Sequence, residues 1–224
     1  MNRLSKKSER MSLTAPHPED KRFISGISLI ANQYDAFILD IFGVVHDGVK
    51  PFPDTVNCLQ QLQSAGKKVC LLSNSPRRAS GAVENMEEMG IPQSLYENIV
   101  TSGESTFTAL KKRPTQFYKD LGYKCWFIGN AFVSELVEDL DFEIVESAED
   151  ADFILNAIPG TQESEVAYLK AQLEIAAAKD LPMICANPDL VVNIGPKQHQ
   201  CAGTFAALYE ELGGRVEYHG KPYA

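Results

Sequence analysis

Three residues stand where apolar stretches end, and together they have the chemistry to move a phosphoryl group. Asp40 closes the apolar run at 34–39, Ser73 closes the run at 68–72, and Lys221 follows a short β-like segment at 215–218. An aspartate carboxylate can attack phosphorus, a serine hydroxyl can orient a phosphate oxygen, and a lysine ammonium can offset the gathering negative charge. Each alone has a plainer reading. Asp40 could cap the turn after a strand, Ser73 with Asn74 could cap the next helix, and Lys221 could be a solvated surface lysine.

The elements that would position these residues follow from apolar periodicity. After a short helix from Phe23, residues 34–39 read as a buried strand that Asp40 ends. Val56, Leu59 and Leu62 recur at helical spacing, Gly66 stops that helix, and a strand follows at 68–72. A helix at 77–89, a strand at 98–101 and a helix at 103–112 continue the alternation. Residues 114–121 read as a polar connection. A second series follows: strand 125–128, helix 131–140, strand 152–156, helix 164–178 and strand 182–186. In that long helix Val166, Leu169, Leu173 and Ala176 share one face, as a core stripe does. A helix from Cys201 through Leu212 and a strand at 215–218 close the chain, with no internal repeat. The expected fold class is α/β, a parallel sheet with helices on both faces. In such a sheet, ligands bind at the carboxyl ends of the strands, where Asp40, Ser73 and Lys221 fall.

Composition narrows the function. The chain has 224 residues, 21 Lys plus Arg against 30 Asp plus Glu, and a formal charge of -9. It therefore lacks the basic field that would hold nucleic acid or an anionic membrane. No run approaches the length of a membrane span and the polar, basic opening lacks the apolar core of a signal peptide, which leads us to expect a cytoplasmic protein. Cys58, Cys70, Cys125, Cys185 and Cys201 are odd in number and widely spaced, and are read as reduced core thiols. His17, His46, His199 and His219 show no metal-ligand spacing.

With these segments in view, the chain resembles the haloacid dehalogenase superfamily, and within it the class IIA branch of nitrophenyl-, nucleotide- and pyridoxal-phosphate phosphatases. Residues 37–48, FILDIFGVVHDG, look like its motif I, residues 69–77, VCLLSNSPR, like motif II, and Gly220-Lys221-Pro222 like motif III. Residues 100–104 and 186–189, VTSGE and ANPD, are similar to two further class IIA segments. The resemblance runs from about residue 23 to the end. It implies a Rossmann-like core with an inserted α/β cap of the C2 type: a disordered tail at 1–21, core at 22–113, cap at 114–200 and a return to the core at 201–224. The implied activity is that of a Mg²⁺-dependent hydrolase, a phosphatase of a small phosphorylated metabolite working through an aspartyl-phosphate. Asp40 would be the nucleophile and a Mg²⁺ ligand, with the backbone carbonyl of Phe42 as a second ligand. Ser73 and Asn74, with the amides of the helix near Arg77, would hold phosphate. Lys221 would balance charge, and Asn187 and Asp189 would lie near the leaving group. Arg77 and Arg78 could contact phosphate or face water. Relatives of this branch often pair through their caps, so the resemblance admits a homodimer.

Two departures bear on the activity. Where most superfamily phosphatases carry an aspartate that protonates the leaving oxygen, this chain has Phe42. Losing a positioned general acid costs about 10²- to 10⁴-fold. His46 and Asp47 are the neighbouring groups that could substitute. In addition, the sequence stops at Ala224, before the acidic residues that complete the family's Mg²⁺ site, so a C-terminally incomplete chain is expected, with an apolar sheet edge near Val216. The alternative reading is a catalytically weak or inactive remnant that binds phosphate ligands.

Overall fold

The computed structural model describes residues 24–161, 163–194 and 197–223. The tail expected at 1–21 lies outside these. The chain divides into two units, Met1–Asp35 and Ala36–Ala224. In the first, the expected helix is replaced by two 3-10 turns, Ile27–Leu29 and Ala31–Gln33, and neither has a side-chain cap. So short a segment cannot repay helix nucleation without a cap or a partner face.

The second unit opens with β1 (Ala36–Asp40), α1 (Thr55–Ser64), β2 (Lys68–Ser73), α2 (Ala79–Glu88), β3 (Asn98–Thr101) and α3 (Ser102–Lys112). The three strands form a parallel sheet in the order β1-β2-β3. Register aligns Asp40 with Leu72 and Ser73 with Thr101, so Asp40 and Ser73 end neighbouring strands at one edge. The expectation of helices on both faces fails for this sheet. Phe37, Val69, Leu71 and Ile99 are buried on one face, whereas Ile38 is 71% exposed and Val100 41% exposed on the other. Periodicity alone misleads here because both faces carry apolar residues.

The chain continues through α4 (Gln116–Lys119), β4 (Lys124–Ile128), β5 (Glu143–Val145), β6 (Phe153–Asn156), α5 (Glu163–Ala178), β7 (Pro182–Cys185), a hairpin of β8 (Val191–Ile194) and β9 (Lys197–Gln200), α6 (Ala202–Glu211) and β10 (Arg215–Tyr218). Five of these strands form a parallel sheet in the order β10-β7-β6-β4-β5. Residues 201–218, expected to return to the first sheet, supply α6 and β10 to this second one, with Val216 opposite Met183. Val216 is partly buried against the core of Trp126, Leu173, Phe205 and Tyr209, and is not the bare apolar edge expected there.

Other differences are local. The helix expected at 131–140 stops as a 3-10 turn at Ala131–Leu136, and the left-handed Asp139 (φ 58°) turns the chain into β5. The connection at 114–121 contains α4, anchored by the buried Tyr118. All five cysteines are free thiols, with Cys125, Cys185 and Cys201 buried. Among the described residues no helix is long and apolar enough to cross a membrane.

Two loops that leave strand ends rest on glycines at helix starts. The Gly103 N–H donates to the Ser75 carbonyl at 3.1 Å, and the Gly203 N–H donates to the Asp189 carbonyl at 3.1 Å. A Cβ on Gly103 would lie 2.2 Å from the Pro76 carbonyl oxygen, and one on Gly203 2.2 Å from that of Pro188. Only a residue without a side chain lets each loop sit this close to its helix. At the end of β10, buried His219 lies between the Tyr118 hydroxyl at Nε2 and the Ser105 hydroxyl at Nδ1, the latter at 2.9 Å. Burial pulls its pKa down from 6.5 to about 4.

Gly103→Ala should therefore lower stability by about 1–3 kcal/mol, the usual cost of overpacking, as measured by urea unfolding. His219 predicts an acid weakness. Above its ordinary value both folded and unfolded chains keep the ring neutral. As pH falls toward 4 the unfolded chain takes up a proton that the folded one refuses, so stability declines by at most about 1.4 kcal/mol per pH unit. The fall in unfolding free energy between pH 7 and pH 4.5 should be shallower in His219→Gln, and an unchanged slope would rule the assignment out.

Candidate active site

The carboxyl-end edge of the first sheet and the loops after β7 and β10 enclose a cavity of 630 Å³, lined in part by Asp40, Phe42, Ser73, Asn74, Asn187, Asp189 and Lys221. All the site residues expected from the sequence thus meet in one place, though 181 residues separate the first from the last.

Asp40 ends β1 with its carboxylate partly exposed, and the Lys221 ammonium donates to it and, at 3.3 Å, to the Leu72 carbonyl. Lys221 is held there by its main chain. Its N–H donates to Asn74 Oδ1 at 2.7 Å, while Asn74 Nδ2 donates to the Lys221 carbonyl at 3.0 Å and to Asp189 Oδ1 at 2.8 Å. Both Nδ2 hydrogens of Asn74 are therefore committed within the protein. A phosphate oxygen requires a donor, and the Asn74 side-chain donors are spent on holding Lys221 and Asp189. Ser73 differs: its oxygen accepts the Ser75 N–H at 3.1 Å, which leaves the hydroxyl proton to donate. Asn187 Oδ1 accepts the Asp189 N–H at 3.0 Å and so shapes the loop beside the cavity.

The α2 terminus also departs from expectation. The helix starts at Ala79, and its leading amides are taken by the protein's own carboxylates: the Arg78 N–H donates to Glu135 at 3.0 Å and the Ala79 N–H to Glu104 at 3.1 Å. The two arginines, expected to contact phosphate or face water, are each paired with a carboxylate and only partly exposed. Arg77 pairs with Glu135 at 3.3 Å and lies over the Phe132 ring, while Arg78 pairs with Glu104 at 2.8 Å and lies over Phe107. The Arg78 hydrogen bond holds the Glu104 carboxyl below its usual range. The sequence reading missed both carboxylates. Glu104 was detectable, because Thr101 and Glu104 have capping-box spacing and the Thr101 hydroxyl oxygen accepts the Glu104 N–H. Glu135 had no local signal. The β8–β9 hairpin was also missed, although the dipeptide Gly195-Pro196 between them is a turn signal in the sequence.

Near motif I, Asp47 caps its own turn by accepting the Val49 and Lys50 amides, and these bonds hold its carboxyl below the usual range. For a divalent ion, the Asp40 carboxylate and the Phe42 carbonyl are oxygen donors of the type Mg²⁺ prefers. The Phe42 carbonyl is left out of the local bridge, whose bonds run from the Gly43 N–H to the His46 carbonyl and from the His46 N–H to the Ile41 carbonyl. The donors fit Mg²⁺ in kind but are few: no cluster of three or more His, Cys, Asp or Glu side chains able to hold a metal occurs among the described residues.

Comparison with known proteins places this arrangement. The profile described as haloacid dehalogenase-like hydrolase matches residues 37–143. A solved hydrolase of the haloacid dehalogenase-like family from Brucella suis is 32% identical, with a TM-score of 0.76, and the match covers 88% of this chain and 70% of that one. The chain belongs to the haloacid dehalogenase-like hydrolase family. A 4-nitrophenylphosphatase of Schizosaccharomyces pombe is 33% identical over 82 residues, 36% of this chain and 27% of that protein. The fold is also shared with a glycerol phosphate phosphatase of Mycobacterium tuberculosis solved with calcium, 21% identical with a TM-score of 0.60 over 86% of this chain and 55% of that one.

Asn74→Ala removes three hydrogen bonds that tie together loops from both sheets. Stability should fall by about 1–3 kcal/mol in urea unfolding, as the Lys221 carbonyl, Asp189 Oδ1 and the Lys221 N–H lose their partner. Asn74→Asp should also destabilise, because the new carboxylate would face Asp189 and lack the two donors.

Proposed function

We propose that this chain is a phosphohydrolase of small phosphate monoesters that works through a covalent intermediate on Asp40. The observation that carries this reading is the pairing of the Asp40 carboxylate with the Lys221 ammonium at the mouths of parallel strands, beside the free proton of Ser73. One Asp40 oxygen would bond to phosphorus as the bond from phosphorus to the ester oxygen breaks, the electron pair leaving with that oxygen. Water would then split the aspartyl-phosphate, release inorganic phosphate and restore the carboxylate. Lys221 would share the charge of the transferring group, and the Ser73 hydroxyl would donate to a phosphate oxygen.

The three-stranded sheet is taken as the catalytic core and the five-stranded sheet as the cap that supplies Asn187 and Asp189 to the cavity. Mg²⁺ would be held by Asp40 and the Phe42 carbonyl and would supply further charge neutralisation at the phosphate. With so few side-chain donors, the ion is expected to bind together with the phosphate group and only weakly alone. The Phe42 ring, 37% exposed and lining the cavity, favours a second reading in which phosphate esters bind without turnover.

Release of phosphate from 4-nitrophenyl phosphate in the presence of Mg²⁺ separates the two. The hydrolase reading expects turnover that falls by about 10³-fold or more in Asp40→Asn and by about 10²- to 10³-fold in Lys221→Ala. Thermal stabilisation by inorganic phosphate, with no turnover by the wild-type chain, would favour the binding reading.

A further inference from the structure

The five-stranded sheet has a strand-end crevice of its own. Read across the sheet the order is β5-β4-β6-β7-β10, so the chain starts in β4, steps to one side for β5 and then crosses to the other side for β6. The segments that leave β4 and β6 diverge, and a crevice opens between these two parallel strands at their carboxyl ends, where a sheet of this order binds its ligands. A cavity of 410 Å³ lies there. Its described lining comes from the end of β4, the residue after β5, the loop after β6 and the first half of α5. Among the described residues it shares only Pro159 with the cavity beside Asp40.

The walls of this crevice select by charge. Trp126, Ile128, Ile158 and Leu169 are buried and supply apolar surface. Two carboxylates from different elements belong to the same lining, Glu146 directly after β5 and Glu165 on α5, and the described lining contains no Lys, Arg or His. The Tyr168 hydroxyl donates to the Glu146 carbonyl at 3.3 Å, which ties α5 to the end of β5 and keeps a half-exposed aromatic ring in the wall. Thr161 is 6% exposed, and its Oγ1 has no hydrogen-bond partner among the described residues, whereas a buried hydroxyl ordinarily finds one. An anion here would meet two carboxylates and no offsetting cation. A neutral apolar molecule would strip water from the carboxylates and return nothing. An ammonium on an apolar body answers every wall. Its charge offsets the carboxylates, its N–H groups give them and Thr161 a donor, and its body covers apolar surface beside a ring that attracts cations.

We propose that this crevice is a second ligand site, separate from the Asp40 cavity, and that it takes a small primary ammonium carried on an apolar or aromatic body. Glu146 and Thr161 recognise the ammonium, and Tyr168 covers the body. The site does not depend on the phosphohydrolase reading, because neither Asp40 nor Lys221 takes part in it.

Trp126 is the chain's one tryptophan and lies in this wall, so its fluorescence reports on the site. The full chain is titrated at neutral pH with phenethylamine, phenylethanol and phenylpropionate, which share one body and differ in charge, and binding is followed by Trp126 emission and by calorimetry. The amine should give saturable changes in both and bind at least about 5-fold more tightly than the alcohol, with the carboxylate weakest. Glu146→Gln should reduce that preference by about 3- to 5-fold. Thr161→Val should weaken the amine by about 3- to 10-fold without lowering the Tm of the free protein, because it removes a hydroxyl that has no partner. Tyr168→Ala should weaken amine and alcohol together. Asp40→Asn should leave amine binding as it is, and loss of binding in that variant would move the amine to the first cavity and overturn the proposal. Equal affinity for the three compounds would overturn the selection by charge, and an amine affinity untouched by Thr161→Val would overturn the role of that hydroxyl. Calorimetric binding that leaves Trp126 emission unmoved, or no binding of the amine at all, would overturn the site while leaving the phosphohydrolase reading standing.

Discussion

The geometry of the candidate site depends on one carboxamide. Asn74 sits at the end of the second strand of the three-stranded sheet, and its side chain grips the main chain of Lys221 from both sides while also holding Asp189. Lysine is a poor choice for precise placement because its four-carbon stem costs rotamer entropy to order. Fixing the backbone at Lys221 reduces that burden, because the ammonium then starts from a set origin opposite Asp40. The same three bonds link loops from both sheets, so the first sheet's catalytic candidates and the second sheet's Asp189 keep one geometry.

A second constraint acts at the start of α2. A helix N-terminus with free amides attracts anions. At α2 two glutamates from distant elements, Glu135 and Glu104, accept the Arg78 and Ala79 amides, and the same carboxylates pair with Arg77 and Arg78. The arginines in turn lie over Phe132 and Phe107. Dense with charge in the sequence, this region pairs its charges internally.

Much of this was legible along the chain, for reasons that differ from element to element. The strand at 98–101 and the strand at 215–218 have the bounds expected, since short apolar runs flanked by turn residues define themselves. The position of Asp40, Ser73 and Lys221 at strand ends was equally readable, because the polar residue that terminates an apolar run is visible in one dimension. Three- and four-residue elements such as α4 and β5 were not, since their stability comes from Tyr118 in the core and from pairing with β4. The hairpin of β8 and β9 was overlooked despite its turn signal, because Lys197–Gln200 is polar throughout and Val191–Ile194 has no strict alternation.

What the sequence determined by itself was the α/β alternation, the resemblance to the family, and the identity of the residues that converge. Those depend on local patterning and on short motifs whose order survives without coordinates. Only the tertiary structure decided which sheet β10 joins, that Asn74 is a clamp, and that the Arg78 and Ala79 amides are taken by Glu135 and Glu104. Each of these is settled by a hydrogen bond or strand pairing between residues that are far apart in sequence. A donor's spare capacity is known only after all its partners are counted, and those partners are assembled only when the chain folds.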